Sequence, residues 1–582
     1  MRLFQNFQTG GSRFGKATLD LTEKPAFKSV FLKPFLKLTE FWKRLLCLNF
    51  CSQEEEMKKF LLCFLLVFAL TAGGIFAAGG AQAAGTQTGT APATQKITWW
   101  CVLASGIVTD NFSNLGDTPF GKGLMARTGV NVEFLHPPFT SAAATEQFNL
   151  IVASGDLPDV MEYNWLGTYA GGPEKAIDDN VILRLNDVFQ RHSPNISAYL
   201  RANPDIDKMV CTDNGSYYNY PMIRIPENRF STITMIRKDW LDEYGLQIPA
   251  TYDDWQNVLT VFKNRKNIVP LAFEQGFLLG NEAIFSFGYN TRADLYLGFD
   301  NKVKWGQVDP GFRDYVTMMN RWYREGLLDP DIITLNLAQV SAKMTSGTAG
   351  ASIGYIGSRM GGWLPPGKAS NPAFSLVATP VPVRNRGETA NFSTISLAYN
   401  WAGGCVAITT KCKNVELAAK LLDYGYSAEG IRYYTYGTEG ESYTMVNGVP
   451  TFTNLITRNP GGWTMAQALG AYTRSNYNAP SIPGSYLLQY YEYPEQQDAL
   501  KVILPATSAR LIPPLTPTPD ESREYATIIS EINTYSREML TKFVLGTESL
   551  SNWDNYVRTI NNLGLPRALE IQNAALARYH AR

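Results

Sequence analysis

Near the start of its folded part, the chain alternates strands and helices, and this order constrains the fold more than any other feature. Residues 96–104 (KITWWCVLA) and 130–135 (VNVEFL) are rich in β-forming residues, and a third strand is predicted within LPDVMEYNW. Helices are predicted between them at residues 118–128 and 142–154, and a glycine follows each. A β-α-β-α-β order is typical of parallel strands joined by right-handed crossovers. The sequence therefore predicts an α/β fold.

Helical periodicity continues through the rest of the chain. A helix capped by Thr251 carries four apolar side chains on one face: Trp255, Val258, Leu259 and Phe262. A helix that begins at Asp309-Pro310 carries five: Phe312, Tyr315, Val316, Met319 and Trp322. Further helices are predicted after Asn414 and at about 521–545, 553–562 and 566–579. Pro365-Pro366 and the run PPLTPTP at 513–519 predict loops.

Residues 57–83 have the pattern of a bacterial secretory signal peptide. Two lysines follow Met57, an apolar stretch runs to Leu70, and Ala81-Gln82-Ala83 supplies an A-x-A cleavage site. The alternative is an uncleaved membrane anchor, which the small-residue cluster and the lack of basic residues after it disfavour. The one cysteine near this pattern, Cys63, lies inside the apolar stretch, so we expect no lipid anchor.

Residues 1–56, before this signal, have no globular pattern. Residues 1–53 carry nine Lys or Arg against three acidic residues, with no clear periodicity. We interpret residues 1–56 as an over-extended gene start, and a genuine basic leader is the alternative. After the signal, residues 84–95 (AGTQTGTAPATQ) predict a flexible linker.

Charge and composition exclude several classes of protein. The whole chain has no net charge, and residues 84–582 carry 41 basic and 46 acidic side chains, a balance of −5. A nucleic-acid-binding protein should present a basic surface, so nucleic acid is not an expected partner. Thirty tyrosines and twelve tryptophans instead indicate a surface that binds something by stacking. Seven cysteines in a chain of 582 residues do not make a disulfide scaffold.

Six segments in the same order resemble one protein family. They are ASGDLPDV (153–160), RKDWLDEYGL followed by TYDDW (from 237), EGLLDPD (325–331), KNVELAAKLLDYGYSAEG (413–430), GTEGESY, and the C-terminal WDNYVRTINNLGLPRALEIQNAALARY. Together they resemble the extracellular solute-binding proteins of carbohydrate ABC importers, in particular the large branch that binds oligosaccharides or aldouronates. The resemblance covers residues 96–582. The missing lipidation site departs from many Gram-positive members and favours a periplasmic protein.

The resemblance implies two α/β lobes joined by a hinge, with the ligand in the cleft between them. We expect residues 96–226 and 403–450 to form the first lobe and 232–398 the second, with 451–582 as a C-terminal helical region across both. The chain would cross from the first lobe to the second near residues 220–231 and return to the first lobe near residues 397–407.

Candidate ligand-binding residues in the first lobe follow from where its strands end. Ligands of open α/β sheets bind beyond the carboxyl ends of the strands. The loop after LPDVME supplies Tyr163, Asn164 and Trp165, which combine ring faces for a pyranose with an amide for its hydroxyls. Packing of Tyr163 and Trp165 in the core is the alternative. Trp100 ends the first strand, but adjacent tryptophans face opposite sides, so at most one of Trp99 and Trp100 can reach the ligand.

The hinge and the second lobe should supply the other contacts. By resemblance the candidates are Tyr220, Glu227, Gln275, Tyr355, Trp363, Tyr399 and Trp401. Tyr355 and Trp363 compete for the role of the aromatic residue laid over the sugar, and Glu227 could instead form a surface salt bridge. Among all candidates, Trp165 and Trp401 are the preferred stacking residues.

We expect a binding protein and not an enzyme, with no cofactor and no metal. Asp156 and Asp159 form the one tempting carboxylate pair, but a turn and a strand start explain them better. The histidines at 136, 192 and 580 are too scattered for a metal site or a triad. Cys405 and Cys412 could form a disulfide or remain buried thiols.

The sequence therefore predicts a monomeric periplasmic receptor that captures an oligosaccharide and delivers it to the permease subunits of an ABC importer. A secreted glycoside hydrolase, or a binding protein for a peptide or another solute, is the alternative, because a fold does not select its ligand.

Overall fold

The structure is a computed structural model that describes residues 96–103, 111–138, 141–224, 232–395, 397, 399, 405–475, 480–503 and 509–582. The extension, signal peptide and linker predicted for residues 1–95 lie outside this part, as do Glu227 and Trp401.

The described part contains strands and helices in mixed order. The strands are β1 (Lys96–Cys101), β2 (Asn131–Leu135), β3 (Val160–Glu162), β4 (Ile223–Arg224), β5 (Thr232–Arg237), β6 (Leu295–Leu297), β7 (Val303–Trp305), β8 (Ala351–Tyr355), β9 (Leu376–Thr379), β10 (Val406–Ile408), β11 (Tyr443–Val446), β12 (Val449–Phe452) and β13 (Ser481–Ile482).

The α-helices are α1 (Pro119–Thr128), α2 (Ser141–Ser154), α3 (Trp165–Thr168), α4 (Gly172–Asp178), α5 (Asn186–His192), α6 (Pro194–Ala202), α7 (Pro204–Val210), α8 (Lys238–Glu243), α9 (Tyr252–Lys266), α10 (Gly276–Leu279), α11 (Pro310–Arg324), α12 (Leu337–Ser346), α13 (Gly362–Ser370), α14 (Val415–Tyr424), α15 (Ala428–Tyr436), α16 (Asn454–Thr457), α17 (Met465–Tyr472), α18 (Leu487–Tyr490), α19 (Pro494–Ile503), α20 (Pro519–Leu545), α21 (Trp553–Asn562) and α22 (Leu565–Ala581).

The first sheet has the strand order β10-β3-β1-β2. Strand β1 pairs in parallel with β2 and β3, as predicted from the β-α-β-α-β order, and β10 joins antiparallel to β3. Asp159 fastens the start of β3 to β1, because its carboxylate accepts hydrogen bonds from the amide and the hydroxyl of Thr98 at 2.8 and 2.7 Å. Trp99 and Trp100 face opposite sides of this sheet, and both are buried.

The second sheet has the order β8-β5-β9, and both neighbours run antiparallel to β5. Its register places Thr232 opposite Tyr355. The short strands β4 and β13 pair with each other, and Ile223 also forms a bridge to Tyr399. These pairings lie where we predict that the chain crosses between lobes. The lobe boundaries themselves stay predictions.

The C-terminal helices contact elements from both halves of the chain. Helix α20 packs against α11 and α22, and it also touches α4. Helix α22 lies against β7, where Asn573 exchanges hydrogen bonds with the backbone of Val303. At its end, Arg578 reaches Asp213 with a nitrogen-to-oxygen distance of 2.7 Å.

The eight helices that local sequence signals predict are present in the structure, among the 22 α-helices of the described residues. Thr251 caps α9 in a capping box, and the predicted apolar faces of α9 and α11 are buried. The predicted loop at Pro365-Pro366 is wrong, because both prolines lie inside α13, directly after the π-helical turn Ile356–Gly361. Each proline keeps a φ compatible with the helix but has no amide donor, so α13 lacks a backbone hydrogen bond at both positions. Within the described residues, no helix combines the length and apolar character needed to cross a bilayer.

Candidate functional site

A cavity of about 420 Å³ lies between three separate parts of the chain. The segment 166–173, directly after β3 and the start of α3, forms one wall. The segment 281–295 contributes a second wall next to β6, and the Pro-rich segment 511–517 with the first turns of α20 forms the third. This is the kind of concave site between structural units in which proteins bind small ligands.

The first wall is positioned by the carboxyl end of β3. After Glu162 the chain turns, and the side chain of Asn164 caps α3 by accepting a hydrogen bond from the Gly167 amide at 3.0 Å. This turn brings Tyr169 to the rim of the cavity. The Tyr169 hydroxyl donates to Asp179 at 2.8 Å, which fixes the orientation of its ring.

A cation and an anion lie on the second wall. Arg292 donates from Nη2 to the carbonyl of Asn281 at 3.1 Å, while its buried Nε has no hydrogen-bond acceptor within the described residues. Burial lowers the pKa of Arg292, and the carboxylates of Asp294 and Glu282 oppose that shift. Asp294 keeps contact with solvent in the cavity, yet desolvation by the surrounding protein raises the pKa of its carboxyl.

Helix α20 contributes Tyr525 to the cavity. Burial raises the pKa of Tyr525, and the nearby Asp294 carboxylate adds to the shift. The cavity lining therefore combines the rings of Tyr525 and Tyr169 with the carboxylate of Asp294 and the guanidinium of Arg292. This combination of groups suits a sugar, because the C–H faces of a sugar pack on rings while its hydroxyls exchange hydrogen bonds with planar polar groups.

The third wall is held in place by Asp213. The Asp213 amide donates to the Thr516 hydroxyl at 2.9 Å, and that hydroxyl donates to the Asp213 carboxylate at 3.1 Å. Arg578 and Arg582 from the C-terminal end of the chain also pair with this carboxylate, at 2.7 and 3.1 Å. The Pro-rich segment is thus anchored to a loop of the first half of the chain.

A second polar group surrounds Tyr355 at the end of β8. The Tyr355 hydroxyl donates to Glu282 at 3.1 Å, and Thr232 donates to the other oxygen of Glu282 at 2.5 Å. Arg359 forms a two-pronged ion pair with Glu274, with nitrogen-to-oxygen distances between 2.7 and 3.1 Å. Because Glu282 also acts on Arg292, this group and the cavity are electrostatically connected.

Two first-lobe candidates, Trp100 and Trp165, the second of them a preferred stacking residue, are core residues. Trp165 is 0% exposed, packs edge-on against Phe148 with ring centroids 5.0 Å apart, and donates to the Met161 carbonyl at 3.2 Å. Trp100 packs beside it against Phe148 and Tyr163. A side chain without accessible surface cannot stack on a ligand, so the structure replaces the predicted binding role of both tryptophans with a packing role.

Three other predicted contacts are also buried, each with a polar partner inside the protein. The Tyr220 hydroxyl lies 2.6 Å from Ser193, and the Tyr399 hydroxyl lies 2.7 Å from that of Tyr218. Trp363 donates from its indole to Ser341 at 2.8 Å. These hydrogen bonds satisfy the polar atoms internally, so the predicted ligand contacts of Tyr220, Tyr399 and Trp363 are corrected to structural roles in this conformation.

Four candidates retain accessible surface: Tyr163, Asn164, Gln275 and Tyr355. Of these, Tyr163 and Asn164 belong to the turn that precedes the first wall. The Tyr163 hydroxyl lies 2.6 Å from that of Thr145, and its ring packs on Phe148. Their role in binding stays a prediction, as do those of Glu227 and Trp401, which lie outside the described residues.

Sequence reasoning missed Arg292, Asp294 and Tyr525. Arg292 and Asp294 lie in RADLYLG with no motif around them, so no local signal identifies them. Tyr525 lies six residues after the PPLTPTP run, which predicts only a loop, so no local signal identifies Tyr525 either.

Cys405 and Cys412 carry thiols and not a disulfide. Burial raises the pKa of both thiols to about 11, so they are unreactive at neutral pH. No group of three or more potential metal-ligating side chains occurs within the described residues.

Comparison with known proteins yields a family and several relatives. The family model for bacterial extracellular solute-binding proteins matches residues 115–431, more than half of the chain. The fructooligosaccharide ABC transporter substrate-binding protein FusA of Streptococcus pneumoniae is 23% identical over 483 residues, which are 79% of this chain and 86% of FusA. Lipoprotein LipO of Bacillus subtilis is 23% identical over 252 residues, 40% of this chain and 46% of LipO.

Solved structures share the fold at low sequence identity. The alginate-binding protein AlgQ2, solved without calcium ion, superposes with a TM-score of 0.69 at 21% identity, and the match covers 84% of this chain and 99% of AlgQ2. FusA in complex with kestose gives a TM-score of 0.68 at 20% identity, with 84% and 100% covered. These neighbours show a two-lobed α/β solute-binding fold for the chain.

Proposed function

The chain belongs to the bacterial extracellular solute-binding proteins, and from this premise we propose that it captures an oligosaccharide and delivers it to an ABC importer. The family is one of extracellular solute-binding proteins, and FusA is named as the substrate-binding protein of an ABC transporter. FusA supports the proposal, because its name assigns it to an ABC transporter of fructooligosaccharides.

The observation that carries the proposal is the composition of the cavity. It brings Tyr169 and Tyr525 together with Arg292 and Asp294, and it lies between segments from both halves of the chain. Aromatic faces next to planar hydrogen-bonding groups suit sugars, whereas the recognition of a peptide backbone would call for more polar lining.

We propose that ligand binding closes the two lobes. A ligand that contacts the segments 166–173 and 281–295 at once interacts better with a closed conformation than with an open one. It therefore shifts the equilibrium toward the closed state by the difference between the two affinities. The importer permease then recognises the closed protein, and we expect the receptor to act as a monomer.

We also propose that residues 57–83 export the chain and that the mature protein carries no lipid. The mass of the protein released from its native host tests both points. We expect the mass of a polypeptide that begins at residue 84 and carries no acyl chain. A membrane-bound product that is acylated at Cys63 would contradict the proposal.

A thermal-shift screen over kestose, xylo-oligosaccharides and gluco-oligosaccharides tests the main proposal. A ligand that binds the folded state raises the unfolding temperature by mass action. The positive sugars are then incubated with the protein and analysed for products. A rise in unfolding temperature without cleavage is expected. Cleavage would indicate a glycoside hydrolase, and no shift with any sugar would reject sugar binding.

A further inference from the structure

The charge of the cavity narrows the chemical class of its ligand. Among the described residues that line the cavity, Arg292 and Asp294 are the only charged side chains, so the lining carries no net charge. The comparisons leave this question open, because their names include both an alginate-binding protein and a fructooligosaccharide-binding protein. Alginate is built from uronic acids, whereas fructooligosaccharides are uncharged.

The guanidinium of Arg292 is only partly available to a ligand. Its Nη2 donates to the carbonyl of Asn281, and its Nε is buried. The carboxylates of Asp294 and Glu282 also act on it electrostatically. The exposed charged side chain on this wall is that of Asp294, so a uronate entering the cavity would meet a carboxylate.

Another cation, close to Tyr355, is already paired with a carboxylate. Arg359 is held by Glu274 through three hydrogen bonds, and its guanidinium lies 5.3 Å from the ring centre of Tyr355. Freeing it for a ligand would leave Glu274 without its partner. Breaking such a pair costs free energy, because it leaves one charge uncompensated in a partly buried position.

Neutral hydroxyls, in contrast, match the polar atoms that the cavity offers. The exposed carboxylate of Asp294 accepts hydrogen bonds from hydroxyl groups. A sugar hydroxyl can donate, so vicinal hydroxyls can bind both oxygens of this carboxylate together. A carboxylate only accepts, and next to Asp294 it would add a second negative charge.

We propose that this cavity accepts uncharged sugar units and rejects uronic acids, a statement that rests on the proposed function. Asp294 is the residue that discriminates, because its carboxylate accepts from hydroxyls and repels carboxylates.

Binding of matched sugar probes to the purified full chain tests the inference. Kestose, xylotetraose and cellotetraose are the neutral probes, and trigalacturonate and trimannuronate are the charged probes. Calorimetry and thermal shift at one pH and one salt concentration give the affinities. We expect the protein to bind at least one neutral probe. We expect it to bind both uronates at least roughly tenfold more weakly than that probe, or not at all.

The variant Asp294→Asn tests the charge of this side chain separately from its size, because the amide is as large as the carboxylate. We expect this variant to reduce the preference for neutral over uronate probes by roughly tenfold. Asp300→Asn is the matched control, since Asp300 is exposed on the turn between β6 and β7 and pairs with Lys304 outside the cavity. It should leave the preference unchanged.

The outcomes separate the inference from the function on which it rests. Tighter binding of a uronate than of every neutral probe overturns the inference and leaves oligosaccharide binding intact. An unchanged preference in Asp294→Asn also overturns it. Absence of binding by every probe rejects the proposed function, and the inference falls with it.

Discussion

Arg474 donates to Glu162 at 2.7 Å, and both side chains are almost completely buried, 6% and 2% exposed. Glu162 ends β3 at the carboxyl edge of the first sheet, and Arg474 follows α17. The nearby Cys101 thiol has its pKa raised to about 12 by burial, and Glu162 adds to that shift. This ion pair therefore fastens the C-terminal region to the sheet edge that precedes the candidate binding segment.

Replacing Arg474 by Met should destabilise the fold strongly. The substitution removes the Arg474 guanidinium from the buried Glu162 carboxylate, and breaking such a buried ion pair typically costs about 3–5 kcal/mol. Urea unfolding followed by circular dichroism measures the change. The control is Arg567→Met on the exposed face of α22, where the pair with Glu524 is open to solvent and its loss should leave the midpoint nearly unchanged. Equal midpoints for both variants would show that the buried pair does not stabilise the sheet edge.

His136 should make stability depend on pH. Burial lowers the pKa of His136 below 6.5, and Arg474 contributes, while the Cys101 carbonyl opposes the shift. The ring accepts from the Leu115 amide at 3.1 Å, which only a neutral imidazole can do. A depressed histidine pKa contributes stability that is present above pH 6.5 and is lost as the pH falls below it.

The expected result is a larger loss of unfolding free energy between pH 7.5 and pH 5.5 in the wild type than in His136→Asn. Thermal unfolding at both values gives the difference. Parallel pH profiles in the two proteins would remove His136 as the source.

Trp165→Ala should change stability and not ligand affinity. The side chain fills the core between Phe148 and Tyr169, so its removal leaves a cavity that typically costs about 3–5 kcal/mol. Under conditions where the variant is still folded, calorimetry should give the wild-type affinity for whichever sugar binds. A large loss of affinity with unchanged stability would return Trp165 to the binding site.

Features that depend on neighbouring residues could be predicted from the sequence, whereas features that depend on residues far apart in the chain could not. Helix α9 follows from Thr251 and the spacing of its apolar residues, which are local signals. The burial of Trp165 depends on α2 and α4 packing over the sheet, and no nearby residue reports that. Arg292 and Tyr525 lie far apart in the sequence and meet only when α20 packs against the second half of the fold.

Asp213→Ala should loosen the C-terminal helix and the Pro-rich wall together. Arg578, Arg582 and Thr516 all depend on the Asp213 carboxylate. Hydrogen exchange should accelerate by roughly tenfold in α22 and in residues 511–517, because local opening becomes easier. Asp498→Ala, which removes an exposed ion pair with Lys501, is the control and should not change exchange in these segments. Unaltered exchange in Asp213→Ala would show that helix packing alone holds this wall.

The most direct measurement for the central claim is a calorimetric titration of the full chain with the best sugar from the screen. The wild type should bind one oligosaccharide per chain. Tyr525→Ala should weaken binding by roughly tenfold or more, because the stacking and burial of this ring are lost. The control is Tyr535→Ala, which should retain wild-type affinity. Tyr535 lies on the same helix but packs against Tyr556 outside the cavity. Equal affinities in all three proteins, or no heat of binding with any sugar, would contradict the assignment of this cavity as an oligosaccharide site.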